Sequence, residues 1–257
     1  MMIRREVMRL FALHVAGNAL VLGLAYYWLG VGESSAATLA WSAVLAIVIL
    51  CMACCLHGGT LVFFRADQSR SLSAAFRTVL RHMAPFLAAV ILIASVYWLL
   101  AQWAEYSSTP ALRIASWCTL KLRKPIKPAT VLRAFNIVLA LVRWMAVPVF
   151  VLPMFSGVAS RGWRGAAEFD RHRRSRLYWI AAPLLLLCAL ALPWQLIAWV
   201  PPVSSFALEM LSFIARAVVS YLLFITAWIF LASLTSGGLL SKECNYGSAG
   251  SGSRAQQ

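Results

Sequence analysis

Six long apolar runs alternate with shorter polar segments along the 257 residues. A helix needs about 20 predominantly apolar residues to cross the hydrocarbon layer of a bilayer, and each run meets that length. The runs cover approximately residues 10–29, 38–64, 85–103, 131–155, 177–200 and 206–235, numbered here as spans one to six. Between spans two and three, Leu72, Ala75, Phe76, Val79, Leu80 and Met83 recur at helical spacing, while Arg70, Arg77 and Arg81 fall on the opposite face. That spacing predicts an amphipathic helix over Ser71–His82, capped by Ser71 and lying in the cytoplasmic interface. Pro85 then opens span three, where its missing N–H costs nothing. The connector between spans three and four holds Pro110, Pro125 and Pro128, and its middle, Thr119–Arg123, alternates between polar and apolar residues. That middle is expected to be extended, Pro125 and Pro128 argue against a continuous helix, and Thr130 can cap span four. Beyond Gly237-Gly238, residues 241–257 are rich in Ser and Gly and predict a flexible cytoplasmic tail on a membrane domain of residues 1–240.

The fold expected is therefore an all-α integral membrane protein. It is a bundle of about six transmembrane helices with one short cytoplasmic amphipathic interfacial helix. Composition agrees: 62% of residues are hydrophobic and 12% charged, against about half and a quarter in a soluble domain. The net charge of +15 does not point to nucleic acid, because the basic residues adjoin apolar spans instead of forming a soluble basic face. Lys and Arg gather in cytoplasmic loops of membrane proteins, beside anionic headgroups.

Orientation follows from that bias. With the N-terminus inside, the inner segments carry fifteen basic residues, among them six arginines in the Ser160–Arg176 stretch. The outer connector between spans three and four, with the mouth of span four, carries six: Arg113, Lys121, Arg123, Lys124, Lys127 and Arg133. Both termini are expected in the cytoplasm, and an altered crossing of spans three and four is the main alternative. Tyr26, Tyr27, Trp28, Trp98, Trp103, Trp194 and Trp199 mark outer span ends, where amphipathic rings favour the headgroup level. A short internal repeat accompanies this: Ala74-Ala75-Phe76 precedes span three as Ala166-Ala167-Glu168-Phe169 precedes span five, and each of those spans ends in tryptophans five residues apart. The N-terminal apolar run is too long for a cleavable signal, so it reads as a retained first span.

Ionisable residues inside spans are the strongest functional pointers, since burying charge in hydrocarbon is costly. On span four, Arg133, Asn136 and Arg143 share a face. On span six, Glu209, Ser212, Arg216 and Ser220 form a stripe. Arg143, Arg216, Glu209 and Asn136 are thus the candidate binding residues for an anionic solute or lipid headgroup, because guanidinium holds phosphate or carboxylate bidentately. The bland reading is that these arginines tie spans together through Glu209 or backbone carbonyls. Arg70, Arg77, Arg81, Arg171, Arg173, Arg174 and Arg176 are the candidate contacts to lipid or a partner. Glu168 and Asp170 pair locally with neighbouring arginines on this reading.

His14 and Asn18 lie one turn apart on span one, suiting an interhelical hydrogen bond more than a proton relay. Cys51, Cys54, Cys55 and His57 on span two have soft-metal chemistry, but no second Cys- or Met-rich helix completes a ligand set, and cysteine packs well as a small apolar group. No metal or cofactor is implied. There is no His-Glu-x-x-His, Gly-x-Ser-x-Gly or P-loop, so an enzyme is not expected and any ATP coupling would come from an associated ATPase. The layout resembles that of bacterial multi-span proteins built from basic connectors and apolar hairpins, which implies the inner membrane. Two functions follow: a transporter or permease component for an anionic solute or lipid, or a non-catalytic membrane scaffold or subunit that binds anionic lipid or a partner protein through its basic connectors.

Overall fold

The computed structural model describes residues 2–32, 34–65, 71–168, 176–202 and 205–235. Every regular element among them is helical. In chain order these are α1 (Met2–Leu29), α2 (Ala36–Phe64), α3 (Leu72–Arg81), α4 (Met83–Tyr106), α5 (Ser108–Leu122) and α6 (Pro128–Leu141). A π-helical turn (Val142–Ala146) joins α6 to α7 (Val147–Arg161), and a 3₁₀ segment (Gly162–Glu168) follows. α8 (Arg176–Ala198) and α9 (Phe206–Thr235) complete the described chain. Six helical stretches are long and apolar enough to cross a membrane: 5–29, 36–64, 83–106, 128–166, 177–198 and 206–235. They coincide with the six runs. The fourth is 39 residues and takes in the π turn and part of the 3₁₀ segment.

Local chemistry starts these helices where the sequence changes. α2 opens with a capping box: the Thr38 N–H donates to Ser35 Oγ (3.2 Å) and the Ser35 N–H donates to Thr38 Oγ1 (3.0 Å). Ser71 caps α3 as expected, its Oγ accepting from the Ala74 N–H at 3.4 Å. Two expectations fail. The connector between spans three and four is not extended: α5 occupies 108–122. Pro110 sits in its first turn, where backbone N–H groups have no intrahelical acceptor anyway. Its buried face is Ala111 and Ala115, at helical spacing. The helix ends at Arg123 in the left-handed region (φ 50°). Nor does Thr130 cap span four. Pro128 is already helical and Lys127 precedes it, because proline's fixed φ suits the first helical position. The tail 241–257 lies outside the described residues.

Contacts divide the chain into two compact units, Met1–Leu87 with Leu152–Gln257, and Ala88–Val151. In the first, α1, α2 and α9 pack on one another, α8 packs on α9, and α3 packs on α2. Buried residues gather at one end of these helices: Leu10, His14 and Asn18 of α1, Leu56, Leu61 and Val62 of α2, and Ile225, Leu231 and Ala232 of α9. The opposite ends expose Tyr26, Leu29, Trp41, Trp194 and Phe206. α3 shows how the close end is made. Its Val79 and Phe76 lie over Gly58 and Gly59, where an added Cβ would come within 3.2 Å and 2.8 Å of their side-chain atoms. The apolar face of α3, Ala75 and Val79, is thus covered by α2, while Arg77, Leu80 and Arg81 remain exposed. A second tight contact follows α7: a Cβ on either Gly157 or Gly165 would collide with the carbonyl of the other. In the second unit α5 packs on α6.

Candidate functional sites within the two units

The residues flagged in the sequence fall into separate surroundings. Arg216 lies on α9 and is 9% exposed. Its Nε donates to the Ser212 carbonyl (3.2 Å), and its Nη1 donates to the carbonyls of Leu196 (3.1 Å) and Ile197 (3.4 Å). The last two belong to the final turn of α8, whose carbonyls have no intrahelical donor. Arg216 therefore caps the C-terminus of α8, where the helix dipole favours a cation. Its guanidinium also sits 5.6 Å from the Trp199 ring centroid and 5.9 Å from that of Phe213, within cation–π range. One turn on, Ser220 Oγ donates to the Pro193 carbonyl at 3.4 Å. The arginine stitches the α8–α9 hairpin. Glu209 occupies the first turn of α9 and is exposed, a position where a carboxylate complements the helix N-terminus.

Arg143 and Asn136 belong to the second unit. Asn136 is exposed on α6 and Arg143 is half-buried. The π turn falls between α6 and α7, so the straight helical face assumed for Arg133, Asn136 and Arg143 is broken before Arg143. Within this turn the Val147 N–H donates to the Val142 carbonyl. The next donor in that register would be residue 148, a proline without an N–H, and its acceptor would be the Arg143 carbonyl. The Tyr97 hydroxyl of α4 donates to that carbonyl at 2.8 Å. A tyrosine from a neighbouring helix thus supplies the donor that proline lacks, as hydrocarbon surroundings require.

A polar cluster is buried where α1, α2 and α9 meet. His14 is fully buried. Its Nε2 hydrogen-bonds Thr60 Oγ1 (2.6 Å), and the Thr60 hydroxyl donates to the Leu56 carbonyl (2.9 Å). The Asn18 amide donates to the His14 carbonyl (3.0 Å) and lies 3.2 Å from His14 Nδ1. Every polar atom of the His14 ring is used, and α1 is tied to α2. His57 stacks beside it, with ring centroids 5.5 Å apart, and meets Trp228 of α9 edge-on at 5.0 Å. His57 Nδ1 and Trp228 Nε1 have no hydrogen-bond partner among the described residues. Tyr221 of α9 donates to the Val15 carbonyl at 2.5 Å, closing the third side. Cys54 is buried nearby on α2, and the thiols of Cys51, Cys54 and Cys55 are free. No group of three or more His, Cys, Asp or Glu side chains is gathered among the described residues.

Arg65 directly follows span two and counts among the fifteen basic residues assigned to inner segments. It is a buried clamp: Nη1 donates to the Ser156 carbonyl (3.2 Å) and to Ser160 Oγ. The signal was present in an arginine directly abutting an apolar run and in the small stripe Ser156, Gly157, Ser160 just beyond span four. Tyr97, Thr60 and Trp228 were likewise passed over. Of the residues proposed for lipid or partner contact, Arg77 and Arg81 are exposed on α3. Arg70, Arg171, Arg173 and Arg174 lie outside the described residues, and Arg176 begins α8.

No protein-family model matches the chain, and no curated protein or solved structure is similar to it.

Proposed function

We infer that this integral membrane protein acts as a non-catalytic scaffold or subunit. Its basic connectors engage anionic lipid headgroups or an acidic partner on the cytoplasmic side of a bacterial inner membrane, where both termini reside. The observation that carries this reading is Arg216. Its guanidinium is held by three backbone carbonyls, the arrangement of a helix tie. Glu209 stands exposed at the start of the same helix. Arg77 and Arg81, by contrast, project from a helix whose apolar face is already occupied by α2, leaving the basic face available to phosphate. Basic residues near an anionic leaflet contribute about 1 kcal/mol each.

The test is purification of the protein and of an Arg77→Gln/Arg81→Gln variant in mild detergent, with bound lipids and proteins identified by mass spectrometry. Loss of phosphatidylglycerol, cardiolipin or a protein partner from a folded variant is the expected result. An unchanged lipid and partner set removes the reading.

A second reading, a transporter or permease component for an anionic solute or lipid, is favoured by Arg143. It is a half-buried arginine on a π turn, a feature frequent at functional sites. In proteoliposomes, Arg143→Gln would then abolish anion flux while the protein stays folded. An associated ATPase would appear among co-purified proteins on this reading.

A further inference from the structure

We propose that α5 is a membrane-surface helix that docks onto anionic phospholipid headgroups of the leaflet at the α4–α6 end. The surface lies in the second unit, apart from the α3 face invoked above, so the two ideas fail separately.

Its chemistry is two-fold. Arg113, Lys121, Arg123, Lys124 and Lys127 are all exposed, and none is in an ion pair among the described residues. Glu105 is the one acidic residue in 88–151, so no internal counter-charge matches them. On the same helix Leu112, Trp117 and Leu120 are exposed by 54%, 62% and 81%. A helix meant for bulk water would not show these large apolar groups, and one meant for hydrocarbon would not carry these cations. The headgroup layer accommodates both: apolar side chains reach the acyl boundary and basic ones meet phosphate.

The geometry agrees. The Tyr97–Arg143 hydrogen bond sets α4 and α6 in register. From Tyr97 to the end of α4 is about 14 Å, and from Arg143 to the start of α6 is about 22 Å. α6 thus begins about 9 Å beyond the end of α4, whereas α5 is about 22 Å long. α5 packs on α6. The junctions hold it there. Ser107 is buried at the α4–α5 break, Arg123 turns the chain in the left-handed region, and the Ile126 N–H donates back to Thr119 Oγ1 at 3.0 Å. This placement also accounts for five of the six basic residues that oppose the positive-inside bias. They serve the bilayer surface at their own end.

The experiment uses the full chain with its six native cysteines replaced and a nitroxide label at Leu120→Cys, in nanodiscs containing phosphatidylglycerol. Collision with oxygen and with a water-soluble nickel chelate reports depth. Intermediate accessibility to both, at headgroup depth, is expected. Low accessibility to both would mean that protein covers the face, and aqueous exposure would mean that nothing does; either overturns the proposal. As a second measurement, Lys121, Arg123, Lys124 and Lys127 are changed together to Gln. Phosphatidylglycerol retained over phosphatidylcholine in native mass spectrometry should fall at least about fivefold. Unchanged retention by the folded variant also overturns it.

Discussion

Arg216 illustrates what a single residue's surroundings decide. An intramembrane arginine read from sequence is equally a ligand for an anion and a tie between helices, because a guanidinium meets phosphate and carbonyl oxygen with the same donors. The Leu196 and Ile197 carbonyls select the second role. Arg216→Gln should lower folding stability by about 1.5–3 kcal/mol, the worth of charge-assisted hydrogen bonds, as measured by SDS-induced unfolding in mixed micelles. A stability equal to that of the unsubstituted protein would dismiss the capping role. The His14–Thr60 bond is the companion case. His14 and Asn18 were legible as a polar pair on span one, but their partner on span two was not, since Thr60 reads as an ordinary small residue near Gly58-Gly59. Thr60→Val keeps the shape and removes the acceptor. It should cost about 1 kcal/mol, as interhelical hydrogen bonds in membranes do, in the same unfolding assay. A greater loss of stability in Ser95→Ala, an exposed serine bonded only to its own helix, would argue against a tie between α1 and α2.

At the scale of elements, apolar length and amphipathic period carried most of the reading. Five of the six runs became apolar helices within five residues of their expected ends, while the fourth extends to 166 rather than 155, and Ser71 capped α3. α5 was missed because alternation over five residues fits a strand or a helix turn alike, and Pro125 and Pro128 looked like breakers. Both stand at helix margins, one beyond the end of α5 and one at the first position of α6. The π turn was missed for a different reason: its acceptor problem is solved on another helix. Tyr97→Phe should destabilise the protein by about 1–2 kcal/mol by leaving the Arg143 carbonyl unpaired. Pro148→Ala restores an N–H at the position that lacks one, so Tyr97→Phe should cost much less in that background. A double-mutant cycle of unfolding free energies reads the coupling. Additive costs would show that the hydroxyl does not stand in for the proline's absent donor.

For the whole molecule, the expected orientation makes a prediction of its own. Reporter fusions at Ser108 and Lys127 should both read as outside, and fusions at Ser73 and Gly162 as inside. A cytoplasmic readout at Ser108 or Lys127 would overturn the six-span arrangement. The sequence by itself determined the class and the number of helices long and apolar enough to cross. Hydrocarbon leaves each spanning segment no alternative to internal hydrogen bonding, so length and apolarity suffice, and no knowledge of neighbours is needed. Only the tertiary structure decided which polar groups meet. It brought Arg216 to the end of α8, Arg65 to Ser156 and Ser160, His14 to Thr60, and the Tyr97 hydroxyl to the carbonyl beside Pro148. Those pairings join residues 19 to 95 positions apart, and their partners are carbonyls and hydroxyls that nearly every helix carries. Composition cannot distinguish such partners, and the closeness of packed helices does.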